Sequence, residues 1–268
     1  MIAKPDFARY CIIGDPVAHS LSPAMQSAAF AAVGLPASYE PLRVAAAGIG
    51  DAIVRLRAEE FAGFNVTTPL KEVVRSHLNT LTGAAVADGA VNSVKRSGGE
   101  LIGHNTDGEG CVRALVDLWH PAFECLDVLL LGAGPAARAI AVALSERGAR
   151  IACWSRRADR AATVGPPPDR LTTLVISALP ADATVPAHVA AAIDPRADIF
   201  DVNYAVARSP LPAGIGARRS DGIPMLLHQG ALAFEWWTGL PAPLSAMRAA
   251  LEVAQGRAER PSTENSPR

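Results

Sequence analysis

A glycine-rich loop between an apolar strand and a helical pattern constrains the fold of this chain more than any other feature. Residues 128–131 are an uninterrupted apolar run, which is typical of a strand covered on both faces of a parallel sheet. The run is followed by the loop Gly132-Ala133-Gly134-Pro135-Ala136-Ala137, by a helical pattern to residue 147 and by a second apolar strand at residues 151–154. This order predicts a βαβ unit that binds a dinucleotide.

The small residues of the loop have separate physical roles in such a site. Gly132 allows the tight turn, Gly134 lets the backbone approach a pyrophosphate, and Ala137 is small enough for close packing of helix on strand. The N–H groups at the start of the helix are available to phosphates. An ordinary strand-to-helix turn is the alternative interpretation, and the flanking strands and helix favour the cofactor site.

The end of the second strand predicts which dinucleotide is bound. An NAD site usually has Asp or Glu there to hold the ribose hydroxyls. Here the strand is followed by Ser155, Arg156 and Arg157, with Arg160 three residues further on. Guanidinium groups match a phosphate geometrically and stay charged, so we expect NADP. A solvated, basic start of a helix is the alternative.

Composition argues against several classes of protein. The 268 residues carry 25 basic and 26 acidic side chains, a net charge of −1 that gives no nucleic-acid footprint. No apolar run approaches the roughly 20 residues of a membrane span, and the N-terminus lacks a signal-peptide pattern. The four cysteines form no CxxC pair, which argues against disulfides or a metal site and favours the reducing cytoplasm.

Apolar spacing along the rest of the chain predicts an α/β fold. Strands are expected at residues 10–14, near Tyr39, at 64–67, 174–176 and 199–202, with a hairpin at 90–103. Helices are expected at 23–33, capped by Ser22, at 49–57, from Leu70, and at 108–118. The fold class is a mixed α/β first domain plus a Rossmann-type, doubly wound parallel sheet.

Five polar motifs lie before and after the glycine loop. They are His19-Ser20-Leu21-Ser22-Pro23, Asn65-Val66-Thr67-Thr68-Pro69-Leu70-Lys71, Gly89-Ala90-Val91-Asn92-Ser93, Asn105-Thr106-Asp107-Gly108 and Asp221-Gly222-Ile223-Pro224-Met225-Leu226-Leu227-His228-Gln229. In this order the motifs resemble the shikimate dehydrogenase family, from about Tyr10 to Ala254. Their hydroxyl and amide groups agree with the polyhydroxylated ring acid that this resemblance implies as substrate.

The resemblance implies an activity and the groups that bind the substrate. The reaction would be the reversible, NADP-dependent reduction of 3-dehydroshikimate to shikimate, in the chorismate pathway of aromatic amino acid biosynthesis. Ser20, Ser22 and Tyr204 would hold the substrate carboxylate. Thr67 and Gln229 would also bind the substrate. Val202 would contact the cofactor, and Gly222 would approach its nicotinamide.

The resemblance also implies the acid–base chemistry. Lys71, Asn92 and Asp107 would surround the reacting hydroxyl, with Lys71 and Asp107 as the proton-transferring pair. Structural interpretations stand beside these roles. Asn92 and Thr67 could serve as turn residues, and Lys71 taken alone would usually be a surface lysine. Gln229 shares a helical face with apolar residues and therefore needs a partner.

Four positions depart from the usual family pattern. Gly83 stands where many members carry an acidic residue, which puts one active-site or cofactor contact in doubt. Ser93 and Leu179 replace threonines, and Pro224 replaces a glycine next to the nicotinamide. The changes leave open a quinate/shikimate dehydrogenase or a preference for an amino-shikimate.

Two further classes of protein and the domain plan complete the prediction. A methylenetetrahydrofolate dehydrogenase is disfavoured by the serine and Asn-Thr-Asp-Gly motifs, and a non-catalytic dinucleotide sensor by the presence of both Lys71 and Asp107. We expect a substrate domain at 1–106, an NADP domain at 107–229, helices at 230–256 that return to the first domain, and a disordered tail at 257–268. The expected partner is a small molecule, and a homodimer is a candidate assembly.

Overall fold

Two sheets, one mixed and one parallel, form the frame of the molecule. The structure is a computed structural model that describes residues 7–204, 210–211 and 214–258. Each sheet has helices packed against it and its own buried apolar clusters. This arrangement confirms the predicted α/β fold class.

Strands of the first hundred residues form the mixed sheet. They are β1 (Ala8–Gly14), β2 (Ala37–Arg43), β3 (Gly63–Val66), β4 (Thr80–Leu81), β5 (Ser93–Ser97) and β6 (Glu100–His104), in the order β2-β1-β3-β5-β6-β4. β1 is parallel to β2 and β3, whereas β5 is antiparallel to β3 and β6. Gly98 and Gly99 both have positive φ and form the tight turn of the predicted hairpin. The connecting helices are α1 (Ser22–Ala32), α2 (Ile49–Ala58) and α3 (Gly83–Asp88).

The second sheet is parallel throughout the described residues. Its strands are β7 (Asp127–Leu131), β8 (Arg150–Trp154), β9 (Thr172–Ser177), β10 (Ile193–Asp201) and β11 (Arg218–Ser220), in the order β11-β10-β9-β7-β8. The chain order reverses beside β7, where the glycine loop leaves the sheet, and ligands of such folds bind at this point. The helices are α4 (Asp107–Trp119), α5 (Pro135–Ser145), α6 (Ala158–Ala161) and α7 (Ala187–Ala190).

The last two helices connect the two halves of the fold. They are α8 (Ile223–Thr238) and α9 (Leu244–Ala258). Met225, in the first turn of α8, belongs to the apolar cluster of the second sheet, whereas Phe234 packs with Tyr10 and Phe30 near the first sheet. The predicted boundary at residue 229 therefore falls inside one continuous helix. Of the predicted tail, residues 257 and 258 are helical backbone and residues 259–268 lie outside the described residues.

Two local predictions are wrong. Ser22 is the first residue of α1 and not its cap; Leu21 is the N-cap, without a side-chain hydrogen bond. The helix expected from Leu70 is a short 3-10 helix at Val73–His77. The carbonyl of Lys71 accepts the N–H of Val91 at 2.8 Å, so it is not available to a helical hydrogen bond.

The described helices were also compared with the length and hydropathy that a lipid bilayer requires. None of them is long and apolar enough to cross a membrane.

Candidate active site

A cavity of about 350 Å³ lies between the two sheets. Residues that follow β1 and β3 line one side, and residues from α4, α5, α8 and the end of β10 line the other. The eight residues assigned to substrate binding all line it: Ser20, Ser22, Thr67, Lys71, Asn92, Asp107, Tyr204 and Gln229. Of the residues assigned to the cofactor, Ala136, Val202 and Gly222 line the same cavity.

Lys71 and Asp107 form a largely buried ion pair in this cavity. The Lys71 Nζ donates to Asp107 Oδ2 at 2.6 Å, and their side chains are 16% and 5% exposed. Lys71 lies in the turn after β3, and Asp107 is the first residue of α4, where the helix dipole favours a carboxylate. The pair brings an ammonium and a carboxylate together beside a cavity that a small molecule can enter.

Asn92 fixes the other oxygen of that carboxylate. Its Nδ2 donates to Asp107 Oδ1 at 2.8 Å and to Thr106 Oγ1 at 2.9 Å, and lies 3.3 Å from Gln229 Oε1. Its Oδ1 accepts the Thr106 N–H at 2.9 Å. Thr106 Oγ1 in turn donates to the Gln229 carbonyl at 3.0 Å. This network joins α8 to the start of α4 and orients Asp107 towards Lys71.

Three hydroxyl side chains, those of Ser20, Ser22 and Tyr204, also line the cavity. The Ser22 N–H donates to Ser20 Oγ at 3.2 Å, so the Ser20 hydroxyl lies beside the backbone of Ser22. Burial raises the pKa of Tyr204, and a hydrogen bond with Ser20 opposes part of that rise. The phenol is therefore neutral at physiological pH and can donate to a carboxylate.

Asn65 is a polar lining residue that the sequence analysis did not single out. It lies in β3, is 5% exposed, accepts from the Tyr39 hydroxyl at 2.6 Å and donates to the Asn92 carbonyl at 3.0 Å. The available signal was an amide between two buried apolar residues, Phe64 and Val66, since a buried amide requires partners. The other lining residues outside the assigned set are Ile12, Pro16, Val17, His19, Val66, Thr68, Asn203, Met225 and Leu226.

The glycine loop has the backbone geometry that a dinucleotide site needs. Gly132 has φ +109°, and a Cβ there would lie 3.0 Å from the Ala178 carbonyl oxygen, so a larger residue does not fit. A Cβ at Gly134 would meet nothing within 4 Å, which leaves open space in front of the backbone. Gly134 caps α5 without a side-chain hydrogen bond, and the first turn has no acidic residue. The exposed N–H groups therefore fit a pyrophosphate.

The arginines after β8 fit an additional phosphate. The guanidinium groups of Arg156 and Arg160 make no ion pair or hydrogen bond with any residue that the structure describes; the Arg160 carbonyl accepts from Thr163 Oγ1 at 2.8 Å. Arg157 lies 3.7 Å from Asp159, in an exposed pair that contributes little, and its N–H donates to Ser155 Oγ at 3.3 Å. These four residues lie outside the cavity that holds Lys71 and follow the strand next to the glycine loop.

The departures from the family pattern are accommodated locally. Pro224 lies in the first turn of α8, where a missing N–H costs no helical bond. A Cβ at Gly222 would overlap the Val202 carbonyl, so this close approach requires glycine. Leu179 is buried in the core of the second sheet. Gly83 begins α3 and lines a different cavity from Lys71.

Asp88 is a further titratable group close to the pair. It ends α3, is 6% exposed, and has its pKa raised to about 6, first by burial and then by the negative charge of Asp107.

The described residues contain no group of three or more His, Cys, Asp or Glu placed to share a metal ion.

Fold and site together define a class: an oxidoreductase with a Rossmann-type dinucleotide domain and a substrate cavity between two sheets. Residues 12–94 match the shikimate dehydrogenase substrate binding domain, and residues 222–252 match the shikimate 5'-dehydrogenase C-terminal domain. A shikimate dehydrogenase (NADP(+)) of Methanothrix thermoacetophila is 39% identical over 266 residues, covering 92% of this chain and 98% of that protein. The chain belongs to the shikimate dehydrogenase family.

Solved structures show how far the likeness extends. Shikimate 5-dehydrogenase from Thermus thermophilus, in complex with NADP(H) and shikimate, has a TM-score of 0.82 at 34% identity, over 92% of this chain and 99% of that chain. The ligand-free 5-ketofructose reductase of Gluconobacter sp. strain CHM43 has a TM-score of 0.79 at 29% identity, over 92% and 99%. The same fold thus occurs in proteins named for different substrates.

Proposed function

We propose that this protein interconverts 3-dehydroshikimate and shikimate with NADP. The observation that carries the proposal is the 2.6 Å contact between Lys71 and Asp107 in a cavity that also reaches Val202 and Gly222. Interconversion of a ketone and an alcohol needs a group that moves a proton at the oxygen, next to the place where hydride is exchanged. The family of the chain supports the same reaction.

Lys71 moves the proton. NADP, when bound, supplies the hydride chemistry. During reduction the Lys71 Nζ donates its proton to the substrate's carbonyl oxygen, and during oxidation it takes the proton of the hydroxyl. Asp107, held by Asn92, keeps the ammonium group in place. Proton transfer by a positioned side chain contributes roughly 10²–10⁴-fold to the rate.

The two ends of the cavity bind different parts of the substrate. Ser20, Ser22 and Tyr204 offer hydroxyl donors to a carboxylate, and their clustering supports that assignment. Hydroxyls of a ring suit the amide and hydroxyl groups of Thr67 and Gln229 near the ion pair. A carboxylate at one end and a reacting hydroxyl at the other match a ring hydroxy acid.

The arginines after β8 select NADP over NAD. Arg156 and Arg160 have no carboxylate partner among the described residues, so their charge is available to the 2′-phosphate. The glycine loop would hold the pyrophosphate through Gly132, Ala133 and Gly134 and the first residues of α5, Pro135, Ala136 and Ala137. Ser155 and Arg157 follow the same strand and would lie beside that phosphate.

Alternative substrates share the same proton chemistry. Quinate carries an additional hydroxyl, an amino-shikimate carries an amine, and 5-ketofructose lacks a carboxylate for the serines. The hydroxyl cluster at Ser20, Ser22 and Tyr204 favours substrates that carry a carboxylate.

A panel of substrates crossed with both cofactors tests the proposal. Steady-state kinetics, followed at the absorbance of the reduced nicotinamide, should give the highest kcat/KM for shikimate with NADP. Replacement of NADP by NAD should lower kcat/KM at least tenfold, because one charged phosphate contact is lost. A higher kcat/KM for quinate or for 5-ketofructose reduction would contradict the substrate assignment, and equal values with NAD would contradict the role of the arginines.

Domain limits, assembly and location complete the proposal. The two sheets with their separate cores support a substrate domain at 1–106 and an NADP domain at 107–229. The second boundary, at residue 229, falls within α8. The start of this helix packs with the second sheet and its end packs with the first. A homodimer and a cytoplasmic location stay predictions, which light scattering and fractionation would test.

A further inference from the structure

An arginine on α5 connects the cofactor loop to the segment that carries Lys71. The Arg138 Nη2 lies 2.5 Å from Glu72 Oε1, and Glu72 is the residue next to Lys71. The same guanidinium donates from Nε to the Asp88 carbonyl at 3.3 Å and from Nη1 to the Ala133 carbonyl at 3.4 Å. One side chain therefore contacts the glycine loop, the end of α3 and the residue beside the proton-transferring lysine.

Lys71 itself makes two other hydrogen bonds with described residues. Its carbonyl is bonded to Val91, which belongs to the first half of the chain. The Lys71 side chain reaches Asp107 at the start of α4. Arg138 adds a direct connection from the loop itself, and its guanidinium offers its donors in a fixed, planar geometry.

This placement has a consequence for hydride transfer. The glycine loop positions the cofactor, whereas the first sheet positions Lys71 and most of the substrate-binding groups. A displacement of about 1 Å between two reacting groups can cost about 100-fold in rate. A side chain that bonds both sides at once limits that displacement.

We propose that Arg138 is a positioning residue, which holds the Lys71 segment at a fixed distance from the cofactor loop through Glu72, the Ala133 carbonyl and the Asp88 carbonyl. Arg138 does not line the cavity that holds Lys71, and it acts by restraining the groups that do. The inference rests on the proposed function, because it concerns the geometry of that reaction.

The chain offers a matched control pair of similar exposure. Arg147, just after α5, pairs with Glu109 at 2.5 Å, and the side chains are 33% and 39% exposed, against 21% and 40% for Arg138 and Glu72. Glu109 lies on α4, so the Arg147 pair connects two helices and not the cofactor loop to the lysine. The variant Arg147→Met removes a similar ion pair without affecting the proposed restraint.

The test compares Arg138→Met, Glu72→Gln and Arg147→Met with the unmodified protein. In Arg138→Met we expect kcat for shikimate oxidation to fall at least tenfold. Binary dissociation constants for shikimate and for NADP should change less than threefold. The kinetic isotope effect with shikimate deuterated at the reacting carbon should rise, because hydride transfer becomes slower than the other steps. Glu72→Gln should shift kcat and the isotope effect in the same direction, and Arg147→Met should shift neither.

Different results would contradict the positioning role and the proposed function on which it rests. If Arg138→Met and Glu72→Gln keep the native kcat and isotope effect, the positioning role is wrong. It is also wrong if kcat falls equally in Arg147→Met, because the loss would then reflect general destabilisation. If Arg138→Met does not fold, the Glu72→Gln result decides. If the unmodified protein does not oxidise shikimate with NADP, the proposed function fails before the variants are compared.

Discussion

At the residue scale, the candidate site depends on how the Asp107 carboxylate is held. One oxygen accepts from Lys71 at 2.6 Å and the other from Asn92 at 2.8 Å, while the residue is 3% exposed. A buried carboxylate without such partners would cost several kcal/mol. The two contacts therefore stabilise the charge and also fix the direction from which Lys71 approaches the cavity.

Asp88, close to this pair, gives a pH-dependent prediction. Its pKa is raised from 3.8 to about 6, so the folded protein binds its proton more tightly than the unfolded chain does. The free energy of unfolding should therefore decrease as pH rises from about 4 to about 6. In Asp88→Asn this component is absent, and above pH 6 the variant should be more stable than the unmodified protein by about 1–2 kcal/mol.

Denaturant unfolding at several pH values checks this expectation. Asp182→Asn, which changes an exposed aspartate, is the control and should follow the unmodified protein at every pH. A difference between Asp88→Asn and the unmodified protein that is the same at pH 4 and pH 7 would contradict the assignment.

At the element scale, the loop before α5 separates a folding requirement from a binding requirement. Gly132 is required by its positive φ and by the nearby Ala178 carbonyl, whereas Gly134 faces open space. Gly134→Ala should therefore leave Tm within about 2 °C, but weaken NADP binding at least tenfold, because the methyl group occupies the path of the pyrophosphate.

Thermal unfolding and a cofactor titration measure the two effects. Gly48→Ala is the matched control, since a Cβ there also meets nothing within 4 Å and the residue lies between β2 and α2, outside the loop and the cavity. It should change neither quantity. Native affinity in Gly134→Ala would show that the cofactor does not approach this backbone.

The elements also show what the sequence could and could not predict. The order of β7, the glycine loop and α5 could be predicted from the sequence, because strand, turn and helix each have a strong local pattern. The helix expected from Leu70 failed because a long-range bond to the Lys71 carbonyl, invisible in the local pattern, replaces the helical one. Asn65 was missed for the same reason, since its partners Tyr39 and Asn92 are distant in the sequence.

At the scale of the whole molecule, the cavity exists because the chain returns through α8 to the first sheet. Gln229 comes within 3.3 Å of Asn92, although 137 positions separate them. The order of the motifs predicted that these residues belong to one site, but their distances depend on how the two sheets pack. Substitutions of Asn92 or Gln229 should therefore change both the affinity for the substrate and the packing of the two sheets against each other.

The most direct test of the central claim is the rate of shikimate oxidation by Lys71→Ala with NADP. We predict that kcat falls by about 10²–10⁴-fold while the binary dissociation constant of NADP stays within threefold, because the proton acceptor is lost and the cofactor loop is unchanged. Lys95 lies outside the cavity, so the control variant Lys95→Met should keep the native kcat. A near-native kcat in Lys71→Ala would contradict the account.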